Sequence, residues 1–436
     1  MSILIQPHKV YQSKLLIQAL YPPGFLKEAK DDLQRVWNLY LKFQEQLGAA
    51  GKKKLESPGL HEWQQFLLLS DVSFDFALFL VLHGRVFRDL RLVVQKGRLS
   101  QVGMLSKWID QAMIGLWVEG AIEIFADCEA SKIFHEGMVL EHLEKSLVSQ
   151  NLKVRHSHSV ESDIQKCYIN IYRDVAHLSL SLTGNKQHHR GLKFGGLDHS
   201  SPLAEDLAHA CLLKSHFKEK LRFHPLVCVP FVGTGTFVFE SILAAQDGLC
   251  YQKHSRFPVE NWLPFKKNDF EHKKKYHWIG VPVSQKPLLI LANDTDPKCV
   301  EAVSSVVEKS ISQMECPLPN NSKTLGELFQ VSVQEGTYAQ QVIPPESNSI
   351  FFPLNPPFGI RMGKEAESLE IYANVGKWVK RTSARKPLGA SGFILCPSES
   401  HWKAFWKELG PGFTQKTSHF TQGGLDMRLC VFESKK

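Results

Sequence analysis

The residues with the most specific chemical meaning in this 436-residue chain are Asn355-Pro356-Pro357-Phe358. They follow an apolar run, Ser349 to Leu354, and lead into Gly359-Ile360-Arg361-Met362-Gly363. Two prolines fix the backbone and supply no N–H donor, so the main-chain carbonyl between them keeps one direction. With the amide oxygen of Asn355 beside it, that carbonyl forms a pair of acceptors for both hydrogens of a planar exocyclic amine. Phe358 can stack on the ring that carries the amine. A rigid loop with a core phenylalanine is the plain structural alternative. Pro-Pro also occurs at Pro22-Pro23 and Pro344-Pro345, so it is the position after an apolar run that distinguishes this one.

Two further constellations have a similar setting. Pro230-Phe231-Val232-Gly233-Thr234-Gly235-Thr236 follows the apolar run Leu226 to Val229 and enters a helical pattern from Phe237 to Ala245. Glycines at such a turn let backbone N–H groups approach an anion or polar ligand, and the helix start adds a partial positive charge. The loop lacks the third glycine of a dinucleotide fingerprint and the Gly-Lys-Ser/Thr of a P-loop, which disfavours NAD and ATP. A tight strand-to-helix turn without a ligand remains open. Asn293-Asp294-Thr295-Asp296-Pro297 ends a second apolar run, Leu288 to Ala292. A carboxylate there can accept hydrogen bonds from both hydroxyls of a ribose. Asp296 before Pro297 is also a good helix start by itself, which makes Asp294 the stronger functional candidate and allows Asp296 both jobs.

The elements that must position these residues follow from the same runs. Apolar strands at Leu226 to Val229, Leu288 to Ala292, Ser349 to Leu354 and Gly392 to Cys396, separated by helices, predict a mostly parallel α/β sheet covered on both faces. Such sheets bind ligands at the carboxyl ends of their strands. Residues 1 to about 185 read instead as α+β. A helical pattern (Phe25, Leu26, Ala29, Leu33, Val36, Trp37, Tyr40) opens after Pro22-Pro23-Gly24, and a second spans Met138 to Leu147. Partial alternation at Ala121 to Ala126 and Cys167 to Tyr172 predicts half-buried strands. The glycine-rich, basic stretch Thr183 to Gly196 has linker composition, and a domain boundary is expected there, dividing 1–185 from 186–436.

Composition excludes several classes. With 43% hydrophobic, 22% charged and 10% aromatic residues the chain is a folded globular type, with two to three domains expected. The longest apolar stretches, Phe76 to Leu82 and Met113 to Trp117, fall short of the ~20 residues that cross a bilayer. Neither a secretory signal nor a transit peptide is evident in Met1 to Gln18. Nine cysteines, with no C-x-x-C pair or Cys/His ligand spacing, argue against both a disulfide framework and a metal site, and a reducing cytoplasmic setting is expected. A net charge of +8 favours a polyanionic partner. Basic residues cluster at Lys266-Lys267, at Lys273-Lys274-Lys275 and at Lys377, Lys380, Arg381, Arg385 and Lys386 with Trp378; Arg85, Arg88 and Arg91 share a face if helix continues there.

Asn-Pro-Pro-Phe is similar to the signature of S-adenosylmethionine-dependent methyltransferases acting on amino groups of nucleobases. The surrounding chain resembles the subgroup that joins a THUMP RNA-binding domain to a guanine-N2 methyltransferase. Pro22-Pro23-Gly24-Phe25-Leu26 resembles the start of the N-terminal ferredoxin-like part, and Asp174 to Leu180 the last THUMP strands. His189-Arg190-Gly191-Leu192 and Ser201-Pro202-Leu203-Ala204-Glu205 resemble the passage into the catalytic domain, with Arg256-Phe257, Trp262 and Gly423 to Leu429 following in the family's order. The resemblance implies a Rossmann-like class I methyltransferase domain behind a ferredoxin-like and THUMP-like domain. It implies that Pro230, Phe231, Gly233, Thr234, Gly235 and Thr236 hold the methionine part of S-adenosylmethionine, Asp294 and Asp296 lie at the ribose, and Glu335 lies near the adenine. Asn355 and the Pro356 carbonyl would orient the amino group, Pro357 would stiffen the loop and Phe358 would clamp the base. The implied partner is structured RNA, ribosomal in preference to transfer RNA, with oligomeric state open. The family usually carries an acid where this chain has Val229, which motivates a catalytically silent RNA-binding or ribosome-assembly protein as one alternative. A tRNA guanosine-N2 enzyme is another. Adenine-N6 methylation of DNA is a third and would leave the THUMP-like half unexplained.

Overall fold

The computed structural model describes residues 3–47, 56–155, 164–184, 203–223, 225–246, 256–268, 270–271, 287–308, 315–318, 321–358, 365–422 and 424–435. The expected boundary stretch from Asn185 to Gly196, Lys273 to Lys275, Gly359 to Gly363 and Gly423 lie outside the described residues. The chain forms two compact units. One comprises Met1–Tyr21, Asp31–Arg190 and Cys250–His277, and the other Pro22–Lys30, Gly191–Leu249 and Trp278–Lys436.

The first unit is built on a nine-stranded sheet. Its strands are β1 (Ile3–Leu4), β2 (Leu15–Leu20), β3 (Gly59–Trp63), β4 (Phe66–Val72), β5 (Asp89–Arg98), β6 (Ala121–Glu129), β7 (Lys153–Arg155), β8 (Gln165–Tyr172) and β9 (Val175–Ser181). They run in the order β3-β4-β2-β5-β9-β8-β6-β7, with β1 also paired to β5, and only the pairs β6–β7 and β6–β8 are parallel. The helices are α1 (Leu26–Gln46), α2 (Phe74–His83), α3 (Leu105–Asp110) and α4 (Glu136–Ser149). The aromatic spacing of α1 does what it predicts: Leu33, Val36, Trp37, Tyr40 and Phe43 are buried. Trp37 and Tyr40 meet Phe76 of α2 at 5.0 and 5.2 Å between ring centroids.

The expected common face of Arg85, Arg88 and Arg91 does not form. Helix α2 stops at His83, and the side chain of Asp32 accepts the backbone N–H groups of Arg85 (2.7 Å) and Val86 (3.0 Å), which holds the chain in a turn. Arg91 lies in β5, buried, 2.6 Å from Asp89 and 3.3 Å from the centroid of the Tyr168 ring. A carboxylate that can satisfy two N–H groups at once outweighs helix continuation there.

The second unit has a seven-stranded sheet in the order β14-β11-β10-β15-β16-β18-β17. Its strands are β10 (Leu226–Pro230), β11 (Leu288–Asp294), β14 (Phe329–Glu335), β15 (Ile350–Leu354), β16 (Ala390–Cys396), β17 (Phe413–Gln422) and β18 (Leu425–Ser434), while β12 (Glu315–Leu318) and β13 (Asn321–Thr324) pair separately. The first five run parallel, as the apolar runs predict, and β17 and β18 add an antiparallel hairpin at one edge. The helices are α5 (Glu205–Lys214), α6 (Phe217–Lys220), α7 (Thr236–Ala245), α8 (Pro297–Val306), α9 (Leu325–Leu328), α10 (Glu365–Ala384) and α11 (Glu399–Leu409).

Both faces of the central strands β10, β11, β15 and β16 are covered, which is why they read as continuous apolar runs. Phe351 meets Phe217 of α6 at 4.7 Å, whereas its neighbour Phe352 meets Trp378 of α10 at 5.2 Å. Tyr372, Val375, Trp378, Val379, Trp402 and Phe405 of α10 and α11 close a core with Cys228, Ile350, Phe352 and Leu354. At Gly376 a Cβ would collide with the Phe405 carbonyl, so the two helices approach backbone to backbone. Of the basic group on α10 and just after it, Lys377, Lys380, Arg381 and Arg385 are exposed, but Lys386 is buried with its Nζ donating to the Pro344 carbonyl, and Trp378 belongs to the core. No described helix is long and apolar enough to cross a membrane.

Trp262 anchors its stretch of chain within the first unit. Its indole N–H donates to Gln165 Oε1 at 2.7 Å, and its ring meets Trp117 edge-on at 5.5 Å. Trp262→Ala is expected to cost about 3–5 kcal/mol, the range for truncating a buried aromatic. Trp262→Phe, which removes the donor and part of the ring volume but keeps an aromatic side chain in place, should cost less, about 1–3 kcal/mol. Urea unfolding of the two variants measures the difference.

Candidate active site at the carboxyl ends of the parallel strands

The three constellations read from the sequence come together in the second unit. Strand β10 lies between β11 and β15, all parallel, so the loops after these three strands leave the same edge of the sheet. After β10 the backbone turns sharply: Phe231, Gly233 and Gly235 have φ of 61, 50 and 79°. Phe231 pays a left-handed conformation that L side chains avoid, and its ring rests against Tyr338 at 5.4 Å. At Gly235 a Cβ would sit 2.7 Å from the Phe239 ring and 3.0 Å from Val303, so only glycine fits. At Gly233, among the described residues and apart from its two chain neighbours, no heavy atom lies within 4 Å of the Cβ position.

The amides of this loop are directed differently from the expected anion cradle. Val232 N–H donates to the Asn293 carbonyl (3.0 Å) and Gly235 N–H to the Val232 carbonyl (2.8 Å). Gly233 N–H donates to Asp294 Oδ2 at 2.9 Å. What the loop offers at Gly233 is therefore space and a close backbone approach. The other Asp294 oxygen accepts from Asp296 N–H at 3.1 Å, and each carboxylate oxygen keeps a further lone pair for a ligand. Asp294 is half-buried.

Asp296 is exposed and caps α8, accepting Lys298 N–H at 2.9 Å. Its carboxylate lies 3.7 Å from Cys299 Sγ, and burial together with Asp294 and Asp296 pushes that thiol up to about 11, so it stays protonated at neutral pH. Glu335 is exposed at the end of β14, directly across from Asp294 in the parallel register. Gly336 completes this end: its N–H donates to the Asp294 carbonyl (2.8 Å) and its carbonyl accepts Asn293 Nδ2–H (2.9 Å). Among the described residues no group of side chains could hold a metal ion.

The loop after β15 carries Asn355, half-buried, Pro356, buried, Pro357, exposed, and Phe358, half-buried. Asn355 Oδ1 is buried and has no hydrogen-bond partner among the described residues. An acceptor left in that state costs about 1–3 kcal/mol, a cost that a donor reaching it would remove. Three residues that the sequence reading missed support the loop. Ser368 Oγ reaches the carbonyls of Pro357 (3.2 Å) and Phe358 (3.0 Å), His401 Nε2 stands 3.1 Å behind it, and Ser398 Oγ lies 2.7 Å from His401 Nδ1. They come from α10 and from the start of α11, and nothing in local spacing reveals a contact over that separation.

Five parallel strands with an antiparallel edge hairpin, and helices on both sides, define a Rossmann-like fold of the class I methyltransferase type. Over nearly its whole length the chain shares its fold with a possible methylase from Clostridium difficile 630 (TM-score 0.69, 15% identity, 97% of this chain and 98% of that one). The same holds for SMU.472, a putative methyltransferase complexed with SAH (TM-score 0.69, 15% identity, 97% and 99%). TrmN from Thermus thermophilus is more distant (TM-score 0.58, 17% identity, 96% and 99%). No family model matches the sequence. Among curated proteins, the ribosomal RNA large subunit methyltransferase K/L of Pseudomonas paraeruginosa is 25% identical over 246 residues, 55% of this chain and 31% of that protein. That of Ectopseudomonas mendocina is 27% identical over 222 residues, 50% and 28%. The chain thus spans less than a third of the length of these curated relatives.

Gly235→Ala is expected to destabilise the second unit by about 1–3 kcal/mol, from backbone strain at positive φ, with the clash against Phe239 and Val303 added. Gly233→Ala, strained but unopposed, should cost less. Thermal melts of both variants make the comparison.

Proposed function

We propose that the chain is an S-adenosylmethionine-dependent RNA methyltransferase that modifies the exocyclic N2 amino group of a guanosine, in ribosomal RNA. In this reading residues 1–185 form a ferredoxin-like and THUMP-like RNA-binding domain and 186–436 the catalytic domain, working in the cytoplasm. The observation that carries it is the unpartnered Asn355 Oδ1, on a proline-stiffened loop beside a glycine turn and a strand-end carboxylate. The relatives named as large-subunit rRNA methyltransferases and the fold shared with methylases agree with it.

The residues present fit the cofactor. S-adenosylmethionine, when bound, supplies an electrophilic methyl group on a sulfonium. Gly233 leaves room for it to lie against backbone, Asp294 keeps lone pairs for the ribose hydroxyls, and Glu335 stands on the adjoining strand end. The family's acid is absent at Val229, which is 1% exposed in β10. Ordering of the loop does not depend on it, because Asp294 holds Gly233 from the neighbouring strand. Asn355 Oδ1 and the Pro356 carbonyl would accept the two amine hydrogens and Phe358 would stack on the base, one of those hydrogens being lost to water as a proton when the nitrogen takes the methyl group from sulfur. Holding nucleophile and methyl in near-attack geometry is the main source of rate, and no strong general base is needed.

Incubation with S-adenosylmethionine and separate rRNA and tRNA fractions, followed by nucleoside mass spectrometry, is expected to give N2-methylguanosine from rRNA. N6-methyladenosine, or no methylated product, overturns the reading, and product from tRNA alone overturns the choice of RNA. Asn355→Ala should lose roughly 10²-fold in kcat, the scale of a misplaced reactant. Its cofactor affinity by calorimetry should stay within about twofold, with a melting temperature equal or higher, since an unpaired buried acceptor is removed.

A further inference from the structure

The Asn355–Phe358 loop has an unusual support problem. Two of its four residues are prolines without N–H groups, so its carbonyls are the handles by which the protein can fix it. Ser368 Oγ takes two of them, the carbonyls of Pro357 and Phe358. Carbonyls only accept, so the single hydroxyl proton of Ser368 is committed to the loop, and toward His401 Nε2 the serine must accept. Nε2 therefore carries the proton, and Nδ1 of the neutral ring accepts from Ser398 Oγ–H. Burial holds His401 below the usual histidine range, with Glu365 opposing, in keeping with a neutral ring.

The groups are placed for this work at some expense. Ser368 and His401 are 2% and 3% exposed, and the Tyr372 ring, one turn along α10 from Ser368, meets the imidazole edge-on at 4.8 Å. Ser398 occupies the N-cap of α11 yet makes no side-chain capping bond, although a serine there ordinarily accepts a free helix N–H. Its hydroxyl serves the histidine instead.

We propose that Ser368 and His401 are positioning residues for amine recognition: by pinning the Pro357 and Phe358 carbonyls they aim Asn355 Oδ1, the Pro356 carbonyl and the Phe358 ring. The kinetic form of this proposal rests on the methyltransferase reading above. Ser368→Ala and His401→Ala are each expected to lower kcat at least fivefold, with KM for S-adenosylmethionine within twofold. Ser368→Thr, which keeps the hydroxyl, should stay within threefold of the parent, and the double variant should be no slower than Ser368→Ala. A smaller loss in Ser368→Ala, a loss that threonine does not restore in a folded variant, or losses that multiply in the double variant overturn the proposal. Amide exchange in the peptide bearing Leu354, Asn355 and Phe358 is read without substrate and should quicken at least fivefold in both alanine variants. If the parent protein transfers no methyl group, the enzyme reading falls and exchange alone decides, with rates unchanged by Ser368→Ala overturning the positioning role.

Discussion

The carboxylate of Asp294 is the constraint on which the site depends. Parallel strands are held together by their ladders only as far as they extend; beyond their ends each loop must find its own partners. Asp294 accepts the amide of Gly233 from the loop after β10 and the amide of Asp296 ahead of α8, while its own carbonyl accepts Gly336 N–H after β14. Three strand ends are thereby tied to one residue. Charge-assisted bonds to backbone N–H groups are among the stronger ones available, and a half-buried carboxylate that makes two of them still has capacity for a ligand.

The first unit uses the same device for a structural purpose. Asp32, fully enclosed, accepts the amides of Arg85 and Val86 and pairs with Arg35 at 2.7 Å. There the carboxylate ends a helix and sends the chain into β5. A carboxylate wholly or partly withdrawn from water is tolerable in both places because it is matched by donors fixed in the backbone.

Much of this was legible in the sequence, for identifiable reasons. Strands β10, β11 and β15 are covered on both faces, so they appear as unbroken apolar runs, and the glycine, Asp-Thr-Asp-Pro and Asn-Pro-Pro-Phe turns that follow them stand out against those runs. The edge strand β17, Phe-Thr-Gln-Lys-Thr-Ser-His-Phe-Thr-Gln, is largely exposed and shows no such contrast. The arginine spacing of three after α2 suggested a helical face because periodicity takes no account of a capping acid more than fifty residues earlier, Asp32 to Arg85. The internal use of the Gly233 and Gly235 amides was hidden as well, since composition shows which residues permit a turn but not where its N–H groups point. Ser368 and His401, 33 residues apart, meet only because α10 and α11 pack closely.

The unpaired oxygen of Asn355 also bears on which bases the proposed site turns away. A ring that presents a carbonyl where the amine belongs, as uracil does, would set oxygen against oxygen at Asn355 and again at Pro356, with no proton between either pair. Such a ligand meets repulsion twice and leaves two buried lone pairs unmet. In the proposed site, selectivity against carbonyl-bearing bases would rest on the two acceptors, Asn355 Oδ1 and the Pro356 carbonyl, however well the rest of the ring stacks on Phe358.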